Sequence, residues 1–263
     1  MALSHLGFIF GCLAYFFMGV KRRHMQNNYL ALGFTSAQAL RLSITSLGNY
    51  GRLLTEFARL SSIDNATIQS WGIRRQALIQ RAYAAGRGVV LATFHLGNWD
   101  LAGCAVGVAG YPLAVIADSV GPPWLNQYVV QARTAKGMRV LPTSNATRMI
   151  DSALEQKQGV AFLVDRPMAR GGVAVRFAGR TLRIPKGAMY YARKWNAVLL
   201  IGYALRLSAN SFAPTVACEI PVLKTADLDD DLRNMGQQIM DEYERLVRQH
   251  PEQWYMFRPL GAT

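Results

Sequence analysis

The apolar and polar positions divide this 263-residue chain into an N-terminal stretch and a longer patterned region. Residues 1–20 hold no Asp, Glu, Lys or Arg, and residues 13–20 form an apolar run that includes Tyr15, Phe16 and Phe17. Lys21, Arg22 and Arg23 follow at once. From residue 36 to residue 59, Leu40, Ile44, Leu47, Leu54 and Phe57 recur at helical spacing, which predicts an amphipathic helix packed on the domain or partly on lipid. Beyond Gly88 short apolar runs alternate with helix-like segments. Strands are predicted at residues 88–94, 113–117, 139–141, 160–164 and 198–204, with helices at 124–136, 146–158 and 187–195. Asn145 is placed as the N-cap of the second of these helices. Residues 173–177 and 215–220 read as further, antiparallel strands. A last helix at 228–249 carries Leu232, Met235, Ile239, Tyr243 and Leu246 on one side, and His250-Pro251 ends it.

Strand–helix alternation of this kind predicts an α/β fold, a mixed central sheet covered by helices on both faces. No repeat, low-complexity tract or linker interrupts it. The chain therefore reads as an N-terminal helical segment, residues 1–35, followed by one domain over residues 36–263. A membrane span takes about 20 apolar residues, so the first segment stands at the limit between spanning and inserting. A secretory signal would place its positive charge before the apolar run, and here the charge comes after it. The positive-inside tendency then puts Lys21–Arg23 and the following domain on the cytoplasmic side, and the expected location is the cytoplasmic face of the inner membrane.

Charge narrows the partners. Lys and Arg number 29 against 16 Asp and Glu, a formal +13, which favours anionic surfaces such as phospholipid head groups. Nucleic acid is set aside because no aromatic–basic RNA motif or helix-turn-helix signature accompanies the charge. Cys12, Cys104 and Cys218 are odd in number and far apart, and read as spectator thiols of a reducing compartment. His5, His24 and His250 lack ligand spacing, so no metal and no cofactor is expected.

The candidate chemistry lies in Leu91-Ala-Thr-Phe-His95-Leu-Gly-Asn-Trp-Asp100. A buried strand ends at His95, Gly97 and Asn98 allow a sharp turn, and Asp100 opens the next helix. Catalytic groups of α/β sheets gather at the carboxyl ends of strands. Across such a junction Asp100 is expected to accept a hydrogen bond from one imidazole nitrogen, leaving the other free as a base. A base there can take the proton of an acceptor hydroxyl that attacks a thioester, with no serine or cysteine nucleophile. The absence of a Gly-x-Ser-x-Gly elbow agrees. The alternative reading is a satisfied structural histidine in a non-catalytic, basic membrane-binding protein.

The segment from His95 to Asp100 resembles the His-x4-Asp/Glu motif of the glycerolipid and lipid A acyltransferases, and its Gly-Asn-Trp is similar to the lipid A late acyltransferase branch. Other blocks follow in that branch's order: Arg133 to Gly137, Val160 to Arg166 with its strand-end Asp165, Val175 to Gly179, Pro185 to Ala188, and His250 to Arg258. Arg22-Arg23 and Asn27 to Leu30 resemble the segment after its first helix. The branch usually closes its motif with Glu where this chain has Asp100, and Asp118 to Pro123 stands where a Tyr-Arg-Pro segment is expected. The resemblance implies a membrane-associated acyltransferase domain over 36–263 that uses an acyl carrier protein or coenzyme A thioester. The acceptor is a lipid hydroxyl, lipid A-type glycolipid first, with a phosphatidylinositol mannoside, ornithine lipid or aminolipid as alternatives. It makes His95 and Asp100 catalytic, and Gly97, Asn98, Arg133, Asp165, Arg166 and Arg180 substrate-binding. Arg133, Arg166, Arg180 and Arg183 would clamp phosphates, as guanidinium forks do. Asp165 would orient an arginine or the acceptor. Trp99 and Trp254 read as packing aromatics.

Overall fold

The structure is a computed structural model that describes residues 2–119 and 121–260; Val120, within the expected departure at 118–123, and the end of the assigned domain, 261–263, lie outside the described residues. Three helices come first: α1 (Ala2–Phe17), α2 (Gly19–Ala31) and α3 (Ser36–Ala58). The apolar run does not continue as one helix. It breaks at Met18, and α1 and α2 meet at a 102° bend; no single helix among the described residues is long and apolar enough to cross a membrane. Thr35 caps α3, its Oγ1 accepting from the Gln38 N–H while the Gln38 side chain accepts from the Thr35 N–H.

α1 lies directly against α3 through glycines. A Cβ on Gly11 would come 2.2 Å from the Leu47 carbonyl oxygen, and one on Gly51 would come 2.0 Å from that of Gly7. Only glycine allows the two backbones to run this close. The outer side of α1 is left apolar and exposed at Leu3, Leu6, Ile9, Phe10, Leu13, Phe16 and Phe17.

After α3 come two short helices, α4 (Asn65–Trp71) and α5 (Gln76–Ala84), which the sequence pattern did not indicate. The chain continues as β1 (Val89–Thr93), α6 (Trp99–Val108), β2 (Leu113–Ala117), α7 (Pro123–Thr134), β3 (Met138–Pro142), α8 (Ala146–Glu155) and β4 (Gly159–Leu163). Asn145 does stand before α8, but its side chain makes no cap bond. Next come a hairpin, β5 (Val173–Phe177) with β6 (Arg180–Ile184), then α9 (Gly187–Trp195), β7 (Val198–Arg206), β8 (Phe212–Ile220) and α10 (Leu228–Gln249).

Six strands form one mixed sheet in the order β3-β2-β4-β1-β7-β8; five run parallel, and β8 closes the edge antiparallel to β7. β5 pairs antiparallel with β6 apart from the sheet. Alternate residues of β1, with Phe94 just after it, feed two cores. Val90, Ala92 and Phe94 pack with residues of α8, α9 and α10, whereas Val89 and Leu91 pack with those of α4, α5 and α6. That is why β1 reads as a continuous apolar run: both of its faces are covered.

After α10 the chain returns across the strand ends. Tyr255 N–H donates to the His95 carbonyl at 3.0 Å, and Gly97 N–H donates to the Gln253 carbonyl at 2.9 Å. The N-terminal helices hold the same segment. Asn28 Nδ2 donates to the Met256 and Arg258 carbonyls, Tyr29 Oη donates to that of Pro251, and Ser46 Oγ to that of Trp254. The terminal helices and the turn after β1 thus share one backbone strut.

Candidate active site

The turn after β1 is set by its backbone. Gly97 has φ +63°, and a Cβ there would meet the Ala204 carbonyl oxygen at 2.1 Å, so glycine is required on both counts. Asn98 then caps α6, its Oδ1 accepting from the Leu101 N–H at 3.0 Å. Its Nδ2 donates to Glu56 Oε2 at 2.9 Å, and the same carboxylate takes both terminal nitrogens of Arg206. Glu56 and Arg206 therefore support the turn, a role that neither residue's local sequence announced.

His95 is buried at the end of β1, and Leu91, Thr93 and His95 line one cavity of about 460 Å³. This is within the range of about 300–1,000 Å³ common for small-molecule sites. Its walls are mainly apolar, with Val106, Leu113, Ile116, Met138 and Val216 among them, while Asp100, Asp118, Arg133 and Arg166 supply charge. Trp99 sits edge-on to the imidazole at 4.9 Å between ring centres.

The imidazole is held by Asp165 rather than Asp100. His95 Nδ1 lies 2.7 Å from Asp165 Oδ1, and the His95 backbone N–H donates to Asp165 Oδ2 at 2.9 Å. The sheet dictates this pairing. Parallel β1 and β4 match Thr93 with Leu163, and two further residues along each chain bring His95 beside Asp165. Burial pushes the Asp165 carboxyl up, but the His95 charge and the hydrogen bonds it accepts outweigh that and hold it below the usual carboxylate range. An ionised Asp165 takes a hydrogen bond from Nδ1–H, which leaves Nε2 as the nitrogen with a free lone pair.

The expected bond between His95 and Asp100 is not formed. Asp100 lies in the first turn of α6, which leads it toward α7, and there its Oδ1 accepts from Arg133 Nε at 2.8 Å. Both partners are about nine-tenths buried, and the guanidinium also lies over the Phe57 ring. Of the other expected residues, Arg166 is exposed at the cavity. Gly97 and Asn98 spend their hydrogen bonds on the turn, and neither they nor Asp165 are among the cavity-lining residues. Arg180 is apart from the cavity on β6, donating to the Leu260 carbonyl at 3.2 Å, and Arg183 donates to the carbonyls of Gly171 and Gly172. Cys104 is buried, with burial and then the Asp100 charge pushing its thiol well up, so it is not poised as a nucleophile.

The sequence profile of bacterial lipid A biosynthesis acyltransferases matches residues 1–260. A phosphatidylinositol mannoside acyltransferase of Mycobacterium tuberculosis H37Rv is 28% identical over 228 residues, 83% of this chain and 69% of that protein. One from Mycolicibacterium smegmatis is 28% identical over 220 residues, 81% and 70% of the two chains. With the match running through both the N-terminal helices and the sheet, the chain is a lipid acyltransferase and belongs to the bacterial lipid A biosynthesis acyltransferase family.

Proposed function

We propose that His95 is the general base of acyl transfer from a thioester donor to a hydroxyl of an anionic glycolipid. The observation that carries this reading is the buried His95–Asp165 pair, with His95 at the wall of a largely apolar cavity and Asp165 behind it. Nε2 takes the hydroxyl proton as the acceptor oxygen attacks the thioester carbonyl. The carbon–sulfur bond then breaks, and the leaving thiolate recovers the proton from the imidazolium. Asp165 holds Nδ1–H throughout and stabilises the charged ring. The acyl chain fits the apolar part of the cavity, and Arg166, with Arg133 fixed by Asp100, offers positive charge to a phosphate of donor or acceptor.

The acceptor favoured here is a phosphatidylinositol mannoside-type lipid, because two relatives of 28% identity bear that name; a lipid A-type glycolipid is the second reading, from the family. Residues 1–35 act as the membrane-associated segment and 36–263 as the acyltransferase domain, working at the cytoplasmic face of the inner membrane. The apolar outer side of α1, with Lys21–Arg23 just beyond it, suits a helix lying in an anionic lipid surface.

The test supplies purified protein with acyl-coenzyme A or acyl carrier protein thioesters and each acceptor, and reads the products by mass spectrometry. Envelope lipids are compared with and without the gene. Transfer to the mannoside lipid and loss of one acyl chain from it in the deletion strain are expected. Transfer to the lipid A precursor alone would replace the first acceptor by the second. Transfer to neither, with envelope lipids unchanged, would overturn the reading.

A further inference from the structure

Behind the His95–Asp165 pair stand two aromatic residues that the reaction outlined above does not use. Tyr243 of α10 and Trp254 of the C-terminal strut are 1% and 2% exposed. Their polar atoms are joined in line. Trp254 Nε1–H donates to Tyr243 Oη at 2.6 Å, and Tyr243 O–H donates to Asp165 Oδ2 at 2.7 Å. The direction follows from chemistry. An indole N–H only donates, so the phenol oxygen is the acceptor there and its single proton is left for Asp165.

The phenol is also fixed in place and in charge. Its ring stacks on Phe94 at 4.3 Å and on Phe177 at 5.3 Å between centres. Phe94 and His95 follow directly on β1, and Phe94 packs in the core on the other side of the sheet from the cavity, so this clamp reaches His95 through the adjoining backbone. Burial, and then the Asp165 charge, raises the phenol far above its ordinary range, which keeps the proton on Tyr243.

We infer that Tyr243, aimed by Trp254, is a positioning residue that sets the basicity of the Asp165–His95 pair. The inference rests on the reading of His95 as the base. Asp165 accepts from three donors, the His95 backbone, the His95 ring and Tyr243. Each donor stabilises the carboxylate and lowers its hold on the imidazole proton. With the Tyr243 donor gone, Asp165 becomes more basic and favours the imidazolium, so His95 titrates at a higher pH. Less of the free base is then present near neutrality. The other ionisable groups around the pair stay in place: Asp100, Asp118, Arg133, Arg166 and Tyr203 line the cavity with His95, and Tyr29 of α2 acts on Tyr243.

The experiment follows the His95 ring nitrogens by NMR against pH in 15N-histidine-labelled full-length protein in detergent micelles. It compares wild type, Tyr243→Phe and Trp254→Phe, with His95→Ala identifying the signal. Tyr243→Phe keeps the stacked ring and removes only the hydroxyl. Its His95 midpoint is expected to rise by about half a pH unit or more, with a smaller rise in Trp254→Phe. The acid limb of kcat/KM should move in step, and activity at neutral pH should fall by up to about threefold for each half unit of that rise while KM changes less than twofold. A folded Tyr243→Phe protein with an unmoved His95 titration and pH profile overturns the inference, and Trp254→Phe decides the matter in the same way if Tyr243→Phe does not fold. Wild-type activity in His95→Ala would instead sink the general-base reading, an outcome separate from the titration.

Discussion

Two buried carboxylates flank His95, one on the sheet side and one on the helix side of the site, and they are used in opposite ways. On the sheet side, Asp165 is 1% exposed and faces a titratable imidazole. On the helix side, Asp100 is 8% exposed and faces Arg133, whose guanidinium stays charged at any working pH. The first arrangement suits movement of a proton, the second a fixed charge. The backbone makes the difference. Neighbouring parallel strands end side by side and bring residues 70 positions apart into contact, whereas the helix that begins after the turn carries Asp100 away from its sequence neighbour.

The largest effect should come from emptying the sheet-side pair. His95→Ala is expected to lower acyl transfer about 10²–10⁴-fold. Circular dichroism should stay that of the native fold, because the ring sits at a cavity wall. A variant that keeps most of the activity would make the two sides equivalent and remove the basis of the comparison.

Asp165→Asn comes next, at about 100-fold or more in kcat, through loss of the tautomer lock. It also carries a pH signature. A carboxyl held below its ordinary value adds stability that is present above the unfolded pKa, about 3.9, and is lost as pH falls through the lower folded value. The melting-temperature gap between wild type and Asp165→Asn should therefore be wide near pH 6 and narrow as the solution becomes acidic. A gap that grows with acid would contradict the ionised state assigned to Asp165.

Asp100→Asn should act mainly on the framework. It leaves Arg133 buried without its partner, a change that typically costs about 3–5 kcal/mol, and activity should fall about tenfold with the pH profile unmoved. In a double-mutant cycle with Arg133→Gln, the second substitution should recover part of the stability. A shifted pH profile in Asp100→Asn would place Asp100 on the proton path after all.

The smallest effect concerns charge outside both pairs. With an acyl carrier protein donor, raising salt from low to physiological strength should lower kcat/KM a few-fold and leave kcat nearly constant, because steering between exposed charges is screened over about 8 Å. Equal salt responses for carrier-bound and coenzyme A donors would rule out steering of the carrier by the +13 surface.

Most of the sheet was legible in the sequence because its strands are short apolar runs covered on both faces. β1, β2, β4 and β7 were found that way, and the Gly97-Asn98 turn was found from residues with special backbone roles. β6 was missed because Arg180-Thr-Leu-Arg-Ile184 buries only Leu182 and Ile184, and α4 and α5 because they are barely two turns long or a little more. Tyr243 read as one apolar position of a helix and Trp254 as a packing aromatic. Both are that, but their hydrogen bonds run between elements, which no spacing along one element reveals. Asp165 was visible as an acidic residue at a strand end. Its attachment to His95 needed the register of β1 against β4.

By itself the sequence determined the α/β alternation, the strand-end histidine, the tight turn after it and the family to which those residues belong. Local propensity and burial pattern act over a few residues, so they can be read along the chain. The tertiary structure decided which carboxylate serves His95, what holds Asn98 in place, and that the apolar N-terminus bends at Met18 and lies on α3 instead of continuing as one helix. Those outcomes depend on strand order, register and close backbone packing between distant segments, which arise only when the whole chain has closed on its core.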